Sequence, residues 1–103
     1  MNVNDDTMLC LTTVGPMRKR ADWMKPVDDL ILEFLREEGQ YPPKIIGESI
    51  NRHPHYVGER CRTLRDYGLL RNLGRGLYQI TTQGEEYLEG ELDANDLNPN
   101  NRT

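Results

Sequence analysis

The hydrophobic positions along this chain change period twice. In PVDDLILEFLREEG, Val27, Leu30, Ile31, Phe34 and Leu35 recur at i, i+3, i+4, i+7 and i+8, which predicts an amphipathic helix with one apolar face. Pro26 suits its first position, Asp28 and Asp29 its positive end, and Gly39 its stop. Lys25, just ahead of it, offers no side-chain acceptor for an N-cap bond. YPPKIIGESINR predicts a shorter helix opened by Pro43 and carrying Ile45, Ile46 and Ile50. After the tight turn NRHP, Pro54 opens a third helix that runs to about Tyr67 and stops at Gly68. Its inward stripe is Val57, Cys61 and Leu64. The period then shortens: LLRN and GLYQI read as short strands joined by the glycine turn LGRG. TTQGEEYLEGEL returns to helical spacing, with Thr81 or Thr82 as cap, Glu85 and Glu86 in the first turn, and Tyr87, Leu88 and Leu92 inward.

This order predicts an α+β, mainly α fold: a three-helix core, a two-stranded hairpin and a C-terminal helix. Residues 1–20 show no periodicity, end in RKR and read as a flexible N-terminal arm, with Met17 a second candidate start beside Met1. Residues 21–93 form the predicted domain, and 94–103, rich in Asn and Asp, a disordered tail. At 103 residues and 36% hydrophobic content, the chain has room for one domain with a small, mostly aliphatic core. No apolar run approaches the roughly twenty residues that span a bilayer. No basic segment precedes an apolar stretch at the start, so neither membrane insertion nor export is expected. Cys10 and Cys61 make no disulfide framework, which fits a reduced cytoplasmic protein, with Cys61 a small core residue. The NRT at Asn101 matches a glycosylation acceptor that such a protein leaves unused.

Charge changes the picture. Six of the thirteen Lys and Arg lie between Arg52 and Arg75, against Glu59 and Asp66, a local net of +4 in a chain of net −4, so the remainder sums to −8. Two short helices joined by a tight turn, the second basic and followed by a basic hairpin, make a winged helix-turn-helix pattern. A helix of this kind fits the major groove of duplex DNA, and a hairpin beside it reaches the flanking backbone or minor groove. The recognition helix is then about 54–67 and the wing 69–80. With about 100° between successive side chains and Val57, Cys61 and Leu64 inward, His55, Glu59, Arg62 and Asp66 lie opposite the core, flanked by Tyr56, Gly58 and Thr63. The predicted reading face is His55, Tyr56, Gly58, Glu59 and Arg62. Arg60 and Arg65 lie nearer the core edge, with heads placed to reach phosphate. Arg65, Arg71 on the first strand and Arg75 at the glycine turn complete the candidate DNA-binding set.

The remaining motifs point to no chemistry. His53 and His55 are two residues apart and no zinc-ligand spacing surrounds them, so no metal and no cofactor are expected. The GRG turn lacks the phosphate-loop pattern, and no nucleophile–base pair is present, so no catalytic residue is assigned. Trp23 reads as a packing anchor.

The segments ADWMKPVDDLILEFL, YVGERCRTLRDYGLL and GRGLYQITTQGEEYLEGELD resemble the small winged-helix proteins of halophilic archaea related to the phi-H phage repressor, broadly similar to MarR-type regulators. The resemblance covers about Ala21 to Asp93. It implies a sequence-specific, double-stranded DNA-binding transcriptional repressor, homodimeric and associated with the nucleoid, with no enzymatic activity. The sequence departs from that pattern at Gly58 and Glu59, where Ser and Arg are common, and an acid at Glu59 weakens phosphate binding. In a halophile, at about 1 M salt, the Debye length is about 3 Å, so binding would rest on close hydrogen bonds and shape more than on steering. The dimer seam would use the first helix, Trp23, Tyr87, Leu88 and Leu92. The alternative reading is a winged helix used for protein–protein assembly without DNA.

Overall fold

A proline begins each of the first three helices: α1 (Pro26–Glu38), α2 (Pro43–Ile50) and α3 (Pro54–Asp66). The fixed φ of the ring suits the first helical turn, where the missing N–H has no partner to lose. Strands β1 (Leu70–Asn72) and β2 (Tyr78–Ile80) follow, then α4 (Thr82–Leu88) and a 3-10 turn at Ala94–Asp96. This computed structural model describes residues 18–99. Most of the expected arm, with Cys10 and Met17, and the Asn101 motif lie outside the described residues.

The core is a single, mostly aliphatic cluster at the junction of α1, α2, α3, the hairpin and α4. Ile31, Leu32, Ile46, Val57, Cys61, Leu64, Leu69 and Tyr87 are all fully buried in it. The inward stripe of α1 is turned from the expected one. Val27, Asp28, Ile31, Leu32 and Leu35 are buried, whereas Leu30 and Phe34 are only half-buried. The turn of the stripe follows Asp28, which α3 draws inward. The weak cap at Lys25 is remedied by the same residue, because the Asp28 carboxylate accepts the Lys25 backbone N–H at 3.0 Å.

β1 and β2 pair antiparallel in the register Leu70↔Ile80, Arg71↔Gln79 and Asn72↔Tyr78. Leu70, Tyr78 and Ile80 face the core, and Arg71 faces solvent. Tyr41, in the α1–α2 connection, adds a third member: its N–H donates to Tyr78 O at 3.2 Å and its carbonyl accepts from Tyr78 N–H at 3.1 Å. Thr81 caps α4, its Oγ1 accepting from Gly84 N–H at 3.1 Å and donating to Gly68 O at 2.7 Å.

The folded unit extends past 21–93 at both ends. The Arg18 guanidinium donates to Leu88 O at 3.0 Å and pairs with Glu33 and Asp29. Lys19 bridges to Asp93, and its carbonyl accepts from Ala94 N–H at 3.0 Å. Ala94 is fully buried and Leu97 packs on the core, so the residues from Ala94 to Leu97 are not a disordered tail, nor Arg18 to Arg20 a flexible arm. The polar composition misleads here because Asp93 satisfies the next turn itself, accepting from Asn95 N–H at 2.9 Å.

Candidate nucleic-acid interface

α3 starts at an unusual cap. His53 supplies it, its Nδ1 accepting from His55 N–H at 3.1 Å, and Pro54 follows at the first helical position. Val57, Cys61 and Leu64 then bury one face of the helix, as their spacing predicts. The opposite face presents His55, Tyr56, Glu59 and Arg62, all exposed. His55 Nε2 and Glu59 Oε2 stand 3.3 Å apart, one turn from each other. Gly58 is not open to this face. It is buried where α3 crosses α2, and a Cβ there would meet Pro43 at 3.7 Å, ordinary contact distance. The Arg62 guanidinium lies back over the same position, 3.7 Å from such a Cβ.

The wing continues the exposed surface. Its turn is closed by Leu73 N–H to Leu77 O at 2.8 Å and by Gly74 N–H to Asn72 Oδ1 at 2.7 Å. Gly74, Arg75 and Gly76 all have positive φ, +94°, +56° and +77°. Glycine adopts that region freely, so the two flanking glycines let the chain reverse while Arg75 alone carries a side chain at the tip. Arg71 projects from β1 on the solvent side of the sheet.

The arginines of the basic segment divide into two groups. Arg60 does not reach outward as its place at the core edge suggests. Its Nε donates to Asp28 Oδ1 at 2.9 Å and its Nη2 to Asp28 Oδ2 at 2.7 Å and to Trp23 O at 3.1 Å. The hydrogen bonds to Asp28 hold the guanidinium above its usual pKa against the opposing effect of burial. Arg65 turns to its neighbour Asp66, at 3.0 Å. Arg18, Arg20 and Arg36 pair with carboxylates elsewhere. Among the described residues, Lys44, Arg52, Arg62, Arg71 and Arg75 have no carboxylate at ion-pair distance, and all five are exposed on α2, α3, their turn or the wing. Among the described residues, Lys19 and Lys25, near the N-terminal segment, are the other Lys and Arg without an ion pair.

Sequence reasoning missed three contacts that hold this surface. They are the Asp28–Arg60 pair, the Tyr41–Tyr78 bridge and the stack of Trp23 on Tyr67, with ring centroids 3.7 Å apart and planes 11° from parallel. The first is signalled in the chain: Asp28, Leu32 and Leu35 share i, i+4, i+7 spacing, and Arg60 lies between Val57 and Leu64 on the inner stripe. The expected seam is also altered. Tyr87 and Leu88 are buried within the chain, and the Tyr87 hydroxyl donates to Asp29 at 2.8 Å, so neither side chain is available to a second copy.

Cys61 lies fully buried behind this face, and burial pushes its thiol up to about 12. The unfolded thiol titrates near ~8.5. The folded value is the higher one, so the contribution to stability is complete below about pH 8.5 and is lost as pH rises toward 12. Burial and the bond to Asp29 raise Tyr87 as well, which adds a loss of the same sign above about pH 10. The urea midpoint is therefore expected to fall from about pH 9 upward, and Cys61→Ala should flatten that fall between about pH 9 and 10. An identical slope in both proteins would contradict it.

Three helices, a helix-turn-helix between the second and third, and a hairpin beside the third define a winged helix-turn-helix protein. A family model described as winged helix-turn-helix phage repressor matches residues 17–100, and the chain belongs to that family. It is 36% identical over 91 residues to the repressor protein of Halobacterium phage phiH, covering 79% of this chain and 97% of the relative. It is 39% identical to the PhiH1 repressor-like protein from Haloarcula marismortui, whose crystal structure superposes with a TM-score of 0.76 over 81% of this chain and 97% of that one. Among the described residues, no helix is long and apolar enough to cross a membrane, and no three His, Cys, Asp or Glu side chains gather as a metal site.

Proposed function

We propose that this chain is a transcriptional repressor that binds a specific duplex DNA site as a homodimer in the cytoplasm, associated with the nucleoid. α3 enters the major groove and the wing lies on the flanking backbone or minor groove. The observation that carries this reading is the division of the cations. In a chain of net −4, five of the seven unpaired Lys and Arg side chains among the described residues share α2, α3, their connecting turn and the wing, while Arg18, Arg20, Arg36, Arg60 and Arg65 are held by carboxylates. Arg62 serves as a clamp on guanine or phosphate, Arg71 and Arg75 as phosphate contacts, and His55, Tyr56 and Glu59 as base-edge contacts. A single domain of this size reads few base pairs, so a two-fold dimer on an inverted repeat is the economical route to specificity. The phage phiH and Haloarcula relatives, and the acidic remainder of the chain, fit a protein that works at high salt.

Selection of bound fragments from genomic DNA, followed by titration at several salt concentrations, tests the proposal. An enriched inverted repeat is expected. Arg62→Ala and Arg75→Ala should each weaken binding, and removal of one phosphate contact should reduce the slope of log K against log salt by about one. If nothing is enriched and neither variant changes binding, the acidic total and Glu59 favour the protein-assembly reading.

A further inference from the structure

The Asp28–Arg60 pair does more than join two helices. Asp28 is fully buried in the first turn of α1, and both its oxygens are used. Oδ1 accepts from Arg60 Nε, and Oδ2 accepts from Arg60 Nη2 and from the Lys25 backbone N–H. Arg60 Nη2 also donates to Trp23 O, and the Trp23 ring stacks on Tyr67, the residue that closes α3. The short segment from Trp23 to Asp28 therefore grips α3 at its middle and again at its end. The two grips, at Arg60 and Tyr67, stand about 10 Å apart along the helix at 1.5 Å per residue. Two fixed points define a direction. Aliphatic packing alone allows a helix to roll and slide over its neighbours, whereas a fork against a carboxylate admits one geometry.

Burial of the pair also argues against a purely stabilising role. Desolvation offsets much of the attraction in a buried ion pair, and neutral replacements of similar shape are often no less stable. We propose that Asp28 and Arg60 are positioning residues that set the angle at which α3 meets DNA, and so govern discrimination between sites without touching a base. This rests on the DNA-binding reading above.

The test uses the full chain carrying D28N/R60M. The new asparagine keeps an acceptor for Lys25 N–H, and the new methionine keeps the apolar stem. Two readouts are taken: amide residual dipolar couplings, which report the orientation of α3 against α1 with no DNA present, and affinity for the selected site against a scrambled one. The expected result is a changed or averaged α3 orientation and a selected-to-scrambled ratio lower by about tenfold or more, the scale of one bidentate base pairing. Scrambled-site affinity should hold nearly constant, since Arg62, Arg71 and Arg75 are untouched. Couplings that fit the parent orientation overturn the proposal, and so does an unchanged ratio. If the parent protein selects no site, the DNA reading fails and the couplings alone decide the positioning role. R60K keeps the charge, gives up the fork and carries the same two readouts should D28N/R60M lose its fold.

Discussion

Arg60→Ala is expected to cost about 3–5 kcal/mol, the scale for removing one partner of a buried ion pair. In a domain of this size that lowers the thermal midpoint by on the order of 15–30 °C. The cost arises on the other partner. Asp28 is fully buried, and without Arg60 its carboxylate keeps only the Lys25 N–H, so it bears most of its desolvation penalty uncompensated. The Arg36–Glu89 pair is the internal control. Its N···O distance is the same 2.7 Å, but its side chains are 29% and 55% exposed, so Arg36→Ala should change stability by no more than about 1 kcal/mol. Denaturant unfolding of the two variants side by side checks this, and equal losses would contradict it.

Gly84→Ala should be the second most damaging change, and its sign opposes helix propensity. Alanine in place of glycine inside a helix normally gains up to about 1 kcal/mol. Here a Cβ would stand 2.4 Å from Leu69 O and 2.6 Å from Ile80 Cγ1. Leu69 O is backbone and is already fixed, accepting from Thr81 N–H at 3.1 Å, so it cannot withdraw. Overpacking of this kind costs about 1–3 kcal/mol or more, and with the loosened Thr81 cap the net loss should be about 2 kcal/mol. A urea midpoint at or above the parent value would show that the junction of α4 with Leu69 and β2 yields.

What is readable in the sequence is local. Pro26, Pro43 and Pro54 fix the helix starts through their rings, Gly68 ends α3, and Gly74-Arg75-Gly76 turns the hairpin. Each acts through its own backbone preference, so no distant residue is needed to interpret it. The misreadings come from places where a distant partner decides. Counting only apolar letters in α1 puts Leu30 inward and passes over Leu32, because Asp28 looks like a surface residue until Arg60 is placed beside it. The outward reading of Arg60 fails for the same reason. Tyr41 pairs with a strand 37 positions further along the chain, which no local pattern signals. Tyr87 and Leu88 suggest a seam because they are apolar and near the C-terminus, but so small a core consumes them itself. On the candidate face, the exposure of His55, Tyr56, Glu59, Arg62, Arg71 and Arg75 follows from helical and strand geometry, whereas the burial of Gly58 depends on how close α2 comes.

The Tyr41–Tyr78 bridge fastens the root of the wing to the same short connection from which α2 departs. Wing and helix-turn-helix are thus tied at their bases, like the two jaws of a caliper whose gauge this bridge helps to set. On the proposed reading, a duplex whose grooves do not match that gauge is accommodated by bending or twisting of the DNA while the protein keeps its shape. Operators would then be ranked partly by the stiffness of base pairs that neither jaw touches.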